Sequence, residues 1–281
     1  MLPPQRKAQH HQLQLPNRRQ VLSVGGQFLL GLTLANCGAI SPQPTNQKLP
    51  ITLTISAAAS LQTLLQTLQF PFQEQFPTIK PLFNFASSGA LQRQIEQGAQ
   101  VDVFLAASPQ HMDQLEQQGL VAARRSLFRN RMALVTATHI SSVKNFADLL
   151  GDAVKTVAIG QPDIAPVGQY AQEVLQALEL YQPLKSKLIY GKDARQVLTY
   201  VTTGNAEAAL VYASDVAQTQ QVNLVKIVEE ALHAPITYPG GAIADSPNRA
   251  GAIAFLDFLQ SDMAQKQIAA QGFRVEGPKQ R

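Results

Sequence analysis

The feature that most constrains the fold is an alternation of short segments typical of strands and of helices, which begins at residue 51. Residues 51–55 (ITLTI) alternate apolar and polar side chains, as half-buried strands do. Residues 61–68 (LQTLLQTL) place leucines at helical spacing. Similar pairs of segments continue to residue 270, and repeated βα units predict an α/β fold with a largely parallel sheet.

Three details qualify this prediction. Ser60 stands where the first strand gives way to the first helix, so it is a candidate N-cap. Pro71 lies inside that helical stretch and should kink or end the helix near Phe70. Gly240 and Gly241 predict an irregular strand late in the chain. The other predicted strands are residues 81–86, 102–106, 132–136, 156–159, 188–190 and 208–212, and the other predicted helices are 89–97, 109–117, 169–178, 195–203, 249–259 and 264–270.

The number of βα units favours two lobes over one sheet. A chain of 281 residues is long enough to build both. Candidate crossings between the lobes lie near residues 129–132 and 231–236, which would make the first lobe discontinuous. The predicted division is residues 51–130 plus 235–275 for the first lobe, 131–234 for the second and 276–281 for a short tail.

The positive charge of the chain is concentrated in its first residues. The whole sequence carries 23 Lys and Arg against 19 Asp and Glu. Four of the basic residues, and none of the acidic ones, precede residue 37. The remainder is formally neutral, so the charge gives no reason to expect a nucleic-acid partner.

Residues 1–37 are predicted to be an export signal. Arg18-Arg19 precedes an apolar stretch, residues 28–34, that is too short for a membrane span, and the arginine pair resembles a twin-arginine signal. Cys37 follows at a position resembling a bacterial lipoprotein cleavage site, which predicts its lipidation and attachment at the outer face of the inner membrane. The alternative is an ordinary secretory leader with an incidental cysteine. Residues 38–50 then form a tether in the periplasm.

Most catalytic signatures are absent from the sequence. It contains no G-x-S-x-G, P-loop or G-x-G-x-x-G motif and no paired-carboxylate pattern. The histidines after the leader, His111, His139 and His233, are far apart in sequence and not at metal-ligand spacing. The sequence therefore predicts no metal site, cofactor or enzymatic activity. A secreted serine hydrolase that uses Ser60 or Ser88 remains an alternative.

Small or polar residues recur where a predicted strand leads into a helix. They are Ser60, Ser87-Ser88-Gly89, Pro166-Val167-Gly168 and Asp193-Ala194. Ligands of open α/β sheets bind outside the carboxyl ends of the strands, so these helix starts are expected to face one cleft. Each helix N-terminus contributes about half a positive charge, and four would supply about two. The pattern permits a doubly charged anion, although ordinary capping turns would also explain it.

Several segments in a fixed order resemble the periplasmic molybdate-binding proteins of ABC importers, over nearly all of residues 51–273. The segments are Ala57-Ala58-Ala59-Ser60-Leu61, residues 83–91 (FNFASSGAL), residues 93–99 (RQIEQGA), Asp102-Val103-Phe104, residues 166–171 (PVGQYA), Asp193-Ala194-Arg195 and residues 210–215 (LVYASD). Each is weak alone, but the ordered set is specific.

The resemblance implies a type II two-lobed clamp with a tetrahedral oxyanion between the lobes. It assigns hydroxyl donors to Ser60 and Ser88, backbone N–H donors to Val167 and Ala194, and a phenol donor to Tyr212. Without the resemblance, Tyr212 would be interpreted as a packed strand aromatic. The implied function is a monomeric binding protein that captures molybdate, or tungstate, and delivers it to an ABC permease. The alternatives are a clamp for sulfate, phosphate or another small solute, and a sensor domain of the same fold.

Overall fold

The computed structural model describes residues 50–275, which form two five-stranded sheets flanked by helices. The predicted signal with Cys37, almost all of the tether and the predicted tail lie outside the described residues. The strands are β1 (Ile51–Ala58), β2 (Ile79–Ala86), β3 (Val103–Leu105), β4 (Val121–Arg129), β5 (Met132–Ala137), β6 (Val157–Gly160), β7 (Leu188–Gly191), β8 (Ala208–Tyr212), β9 (Val222–Ile227) and β10 (Thr237–Ile243). The α-helices are α1 (Gln62–Gln75), α2 (Ser88–Glu96), α3 (Pro109–Gln117), α4 (Pro166–Ala177), α5 (Tyr181–Leu184), α6 (Ala194–Thr202), α7 (Ala213–Ala217), α8 (Arg249–Leu259) and α9 (Asp262–Ala270).

Both sheets mix parallel and antiparallel pairs, so the prediction of a largely parallel sheet is wrong. The first sheet has the order β2-β1-β3-β10-β4, and the second β7-β6-β8-β5-β9. In the first, β1 is parallel to β2 and β3, whereas β10 is antiparallel to β3 and β4. In the second, β6 is parallel to β7 and β8, whereas β5 is antiparallel to β8 and β9. The reversed strand of each sheet is the one that follows a passage of the chain from the other sheet.

Helix α1 continues through Pro71 to Gln75, so it does not end near Phe70. The proline removes one backbone hydrogen bond and crowds the preceding turn. The apolar residue that follows it accounts for the continuation. The Phe72 side chain is fully buried, and its ring lies 5.0 Å from that of Phe255 and 5.2 Å from that of Phe258. Packing of Phe72 against α8 thus outweighs the tendency of Pro71 to end helix α1.

Strand β10 is irregular, as the two glycines predict. Its pairing with β4 shifts register between Tyr238 and Pro239 and again between Ala242 and Ile243. A Cβ atom on Gly240 would lie 2.6 Å from the Leu256 side chain, and one on Gly241 would lie 2.8 Å from Met112 Sδ. The glycines therefore let helices α8 and α3 pack directly on the middle of the sheet.

The interior is apolar, with one large cluster of buried side chains drawn from both sheets and a smaller one beneath α2 and α3. The first passage between the sheets is short, since Arg129 ends β4 and Met132 begins β5. Across residues 50–275, every helix is too short or too polar to cross a bilayer. The lobe boundaries after residues 130 and 234 remain predictions.

Candidate functional site

A small cavity lies where the ends of strands β1 and β8 meet the first turns of α2, α4 and α6. All five residues predicted to bind a ligand line it: Ser60, Ser88, Val167, Ala194 and Tyr212. Much of the remaining wall is alanine, including Ala58, Ala59, Ala107 and Ala165. The empty volume of the cavity is about 200 Å³. Such a space suits a solute of a few atoms rather than a sugar or a peptide.

Ser60 does not cap a helix, so that prediction is wrong. It lies in the middle of a 3₁₀ turn, Ala59–Leu61, and α1 begins only at Gln62. No side chain caps this turn. The Ser60 Oγ atom instead lies 3.0 Å from the Tyr238 phenol oxygen, and both side chains are buried. The hydroxyl is therefore held at the cavity wall by a partner from β10.

Ser88 is the first residue of α2 and is fully buried. Its Oγ atom accepts a hydrogen bond of 3.0 Å from the Ala107 backbone N–H. Because that lone pair is engaged by an obligatory donor, the Ser88 hydroxyl proton is available for another acceptor. The next residue, Gly89, donates its N–H to the Ile164 carbonyl at 3.1 Å, which connects α2 to the loop before α4. A Cβ atom there would lie 2.8 Å from the Ile164 oxygen, so the approach requires glycine.

Val167 and Ala194 contribute the first turns of α4 and α6. The first N–H groups of a helix have no acceptor within it, so these two backbone donors are open to a ligand. Asp193 fixes the start of α6, because its Oδ1 accepts a 2.9 Å hydrogen bond from the Gln196 N–H. Close packing fixes α4, since a Cβ atom on Gly168 would lie 2.1 Å from the Gly160 carbonyl oxygen.

Tyr212 is the last residue of β8 and is 1% exposed. Among the described residues, its hydroxyl has no partner at hydrogen-bond geometry. The Tyr238 ring is near, with centroids 6.1 Å apart, but the two phenols do not meet at that geometry. Burial, followed by the neighbouring Tyr238 phenol, raises the Tyr212 pKa well above its ordinary value. The group therefore remains a neutral O–H donor, and leaving it unpaired costs about 1–3 kcal/mol.

Asp215 lies directly behind Tyr212. Its Oδ2 accepts the Tyr212 backbone N–H at 3.2 Å. Burial raises the pKa of this carboxyl to about 7, while the hydrogen bond from Tyr212 and the charge of Arg195 oppose that shift. The residues lining the cavity include no Lys or Arg and one acidic residue, Asp193, so attraction of an anion there would come from the fixed dipoles of N–H and O–H groups.

His111 and His233 make hydrogen bonds to groups other than the two cavity serines. His111 Nδ1 lies 2.7 Å from Gln92 Oε1, and His233 Nδ1 lies 2.7 Å from the Ala234 carbonyl. The hydrogen bonds of Ser60 and Ser88 go to Tyr238 and Ala107 instead. This arrangement lacks the serine–histidine contact expected of a hydrolase. Residues 50–275 also contain no group of His, Cys, Asp and Glu side chains placed to hold a metal ion.

Comparison with known proteins assigns the family. Residues 53–274 match the model of the bacterial extracellular solute-binding proteins. The chain belongs to this family. It is 38% identical, over 87% of its length and 94% of the relative's, to YvgL of Bacillus subtilis, provisionally named an ABC transporter substrate-binding lipoprotein. It is 33% identical to the molybdate-binding protein ModA of Haemophilus influenzae, over 80% and 90% of the two chains.

A solved structure gives the same result for the fold. The chain is similar to a substrate-binding domain from Clostridium difficile, provisionally assigned to a molybdenum ABC transporter, with a TM-score of 0.64 and 36% identity. The match covers 80% of this chain and 99% of that domain. The predicted two-lobed α/β fold and the resemblance to molybdate-binding proteins are both confirmed.

Sequence reasoning did not identify two buried polar residues of this solute-binding protein that lie behind the cavity. Tyr238 contacts Ser60 and also accepts a hydrogen bond of 3.3 Å from Asn130 Nδ2. Asn130 lies in the short passage from β4 to β5. Neither residue belongs to a helix start, which was the pattern used to select candidates. The only sequence signal was the position of Asn130 at a predicted crossing between the lobes.

Proposed function

We propose that this solute-binding protein captures molybdate, with tungstate as a second ligand, outside the cytoplasm. The observation that carries the proposal is the buried, unpartnered hydroxyl of Tyr212 at the cavity wall. A buried donor without an acceptor is unfavourable unless a ligand supplies one. The bound oxyanion would accept from Tyr212, from the hydroxyls of Ser60 and Ser88, and from the backbone N–H groups of Val167 and Ala194.

The electrostatics favour a small anion without a counter-charge from the protein. Helices α2, α4 and α6 begin at the cavity, and each N-terminus contributes about half a positive charge. Together they amount to about 1.5 charges, and the O–H donors add to this. A doubly charged oxyanion is therefore matched in sign and approximate size, and its negative charge is spread over several hydrogen bonds.

Selection among oxyanions would depend on size. Molybdate, tungstate and sulfate share their charge and tetrahedral shape, but sulfate is smaller. A rigid wall of alanines and backbone cannot contract around a smaller ion, so sulfate would leave some donors out of contact. Relatives named as molybdate-binding proteins support this choice.

Isothermal titration calorimetry of the protein with molybdate, tungstate, sulfate and phosphate tests the proposal. We expect molybdate and tungstate to bind at one site per chain, and sulfate and phosphate to bind much more weakly. Sulfate binding tighter than molybdate would contradict the specificity. The absence of binding by all four ions would contradict the oxyanion function itself.

Transport would follow from closure of two lobes, residues 51–130 plus 235–275 and residues 131–234, around the ion. The closed monomer would then deliver it to an ABC permease. The name of the Bacillus relative supports anchoring through a lipid on Cys37. The first residues would act as a twin-arginine-like signal. Mass spectrometry of the mature protein tests the anchor, and an unmodified Cys37 thiol would contradict it.

A further inference from the structure

Four buried polar side chains form a hydrogen-bonded chain that ends at the cavity. Asn130 Nδ2 lies 2.9 Å from Ser214 Oγ and 3.3 Å from the Tyr238 phenol oxygen. The Tyr238 oxygen in turn lies 3.0 Å from Ser60 Oγ. All four residues are 5% exposed or less. Because water cannot reach these groups as an alternative partner, each donor in the chain must be matched by an acceptor within the chain or at the cavity.

The amide of Asn130 has one allowed orientation. Its Oδ1 accepts the backbone N–H of Arg131 at 2.9 Å and that of Ser214 at 3.4 Å. Backbone N–H groups can only donate, so the atom facing them must be the oxygen. The NH₂ group consequently points at Ser214 and Tyr238, and it can only donate to them.

This orientation sets the direction of the next two hydrogen bonds. The Tyr238 oxygen accepts from Asn130. Among the described residues, Ser60 is the other group at hydrogen-bond geometry to this fully buried phenol, because the nearby Tyr212 hydroxyl does not reach that geometry. If Ser60 donated to Tyr238, the phenol proton would be buried without an acceptor. Tyr238 therefore donates to Ser60, and the Ser60 proton is left to point at the cavity.

We propose that Asn130 is a positioning residue that, through Tyr238, holds the Ser60 hydroxyl as a hydrogen-bond donor to the bound oxyanion. The inference rests on the proposed function, because it assumes an anionic ligand. The Ser88 hydroxyl is held as a donor directly, because the Ala107 backbone N–H donates to its oxygen. Ser60 has a side-chain partner instead and therefore depends on a second side chain for its direction.

The hydrogen bonds from Asn130 to Tyr238 and from Tyr238 to Ser60 are called the relay below. The sharpest test reverses their direction. In Asn130→Asp the carboxylate accepts from Tyr238, Tyr238 then accepts from Ser60, and Ser60 turns its lone pairs towards the anion. We expect molybdate affinity to fall about 100-fold, as for a lost hydrogen bond to a charged group combined with repulsion. Adding Tyr238→Phe breaks the reversed relay, so the double variant should recover about tenfold over Asn130→Asp.

The Ser60→Ala background is the control for the negative charge that Asn130→Asp adds. In that background no hydroxyl can be turned, so Asn130→Asp should lower affinity far less than it does in the unchanged protein. If the double variant with Tyr238→Phe recovers nothing, and Ser60→Ala leaves the effect of Asn130→Asp unchanged, repulsion alone explains the loss and the relay is wrong.

A milder pair of variants covers the case in which Asn130→Asp does not fold, as judged by thermal unfolding without ligand. Tyr238→Phe alone should lower affinity about threefold and have no effect in the Ser60→Ala background. The same factor in both backgrounds would overturn the relay. Absence of oxyanion binding by the unchanged protein would overturn the proposed function, and the relay with it, whereas normal binding without coupling would overturn the relay alone.

Discussion

The two sides of the cavity supply hydrogen-bond donors in different ways. The side built on the first sheet offers the hydroxyls of Ser60 and Ser88, each held by another group of the protein. The side built on the second sheet offers backbone N–H groups at the starts of α4 and α6, with the phenol of Tyr212 at the end of β8. A hydroxyl donor is lost when a substitution such as serine to alanine removes one oxygen atom. Backbone donors persist through most substitutions, so the second side should tolerate sequence change better than the first.

Replacing Ala194 by proline should have the largest effect, because it removes a backbone donor directly. Ala194 is the first residue of α6, a position that proline favours, and Asp193 before it has the extended conformation that proline requires. The helix should therefore form normally. The ring replaces the N–H and enters the cavity, so we expect calorimetry to show at least about a 100-fold loss of molybdate affinity. Ala194→Gly retains the donor, and an equal loss in that variant would contradict the backbone role.

Deleting one hydroxyl on the first side should have the next largest effect. Ser88→Ala removes a donor to a charged ligand and should weaken binding by about 1.5–3 kcal/mol. It also leaves the buried Ala107 N–H unpaired, so the ligand-free protein should lose about 1 kcal/mol of stability in denaturant unfolding. The matched control is Ser261→Ala, which also removes a hydroxyl that accepts a backbone N–H, that of Ala264 at 3.3 Å, but does not line the cavity. Unchanged affinity in Ser88→Ala would make this serine purely structural.

Tyr212→Phe should separate binding from stability on the second side. The hydroxyl is unpartnered, so its removal should weaken molybdate binding by about 1.5 kcal/mol. The same change relieves an unsatisfied buried group and should leave the ligand-free protein equally stable or slightly more stable. Thermal unfolding with and without molybdate measures both quantities. A lower stability of ligand-free Tyr212→Phe would contradict the view that the Tyr212 hydroxyl has no hydrogen-bond partner until the ligand binds.

The smallest expected effect concerns a contact between the two sides. Arg195 Nη2 in α6 donates to Thr63 Oγ1 in α1 at 2.8 Å. Thr63→Ala removes this partly exposed hydrogen bond and should weaken molybdate binding by about 0.5 kcal/mol, roughly twofold. Thr67→Ala is the control, because Thr67 Oγ1 bonds within its own helix, to the Thr63 carbonyl. Equal effects of the two variants would mean that the contact does not favour the bound state.

The two sides also differ in how far they can be predicted from sequence. The starts of α4 and α6 follow from apolar periodicity and from Pro166 and Asp193, which are local signals. Ser60 was expected to cap a helix, whereas its partner is Tyr238, distant in sequence. Strands β4 and β9 were missed because half-exposed polar side chains blur their alternation. Local chemistry thus predicts which backbone groups are free, but the partners of a side chain depend on tertiary packing.

The place of β10 in the first sheet has a consequence for the order of folding. The strands of the second sheet lie between Met132 and Ile227, in one continuous stretch of chain. The first sheet cannot close until residues 237–243 insert between β3 and β4. Loop closure over more than a hundred residues is slow, so the second sheet should assemble first during refolding. Because Tyr238 lies on that late strand, Ser60 acquires its partner only when the first sheet is complete, and binding competence should be among the last properties to appear.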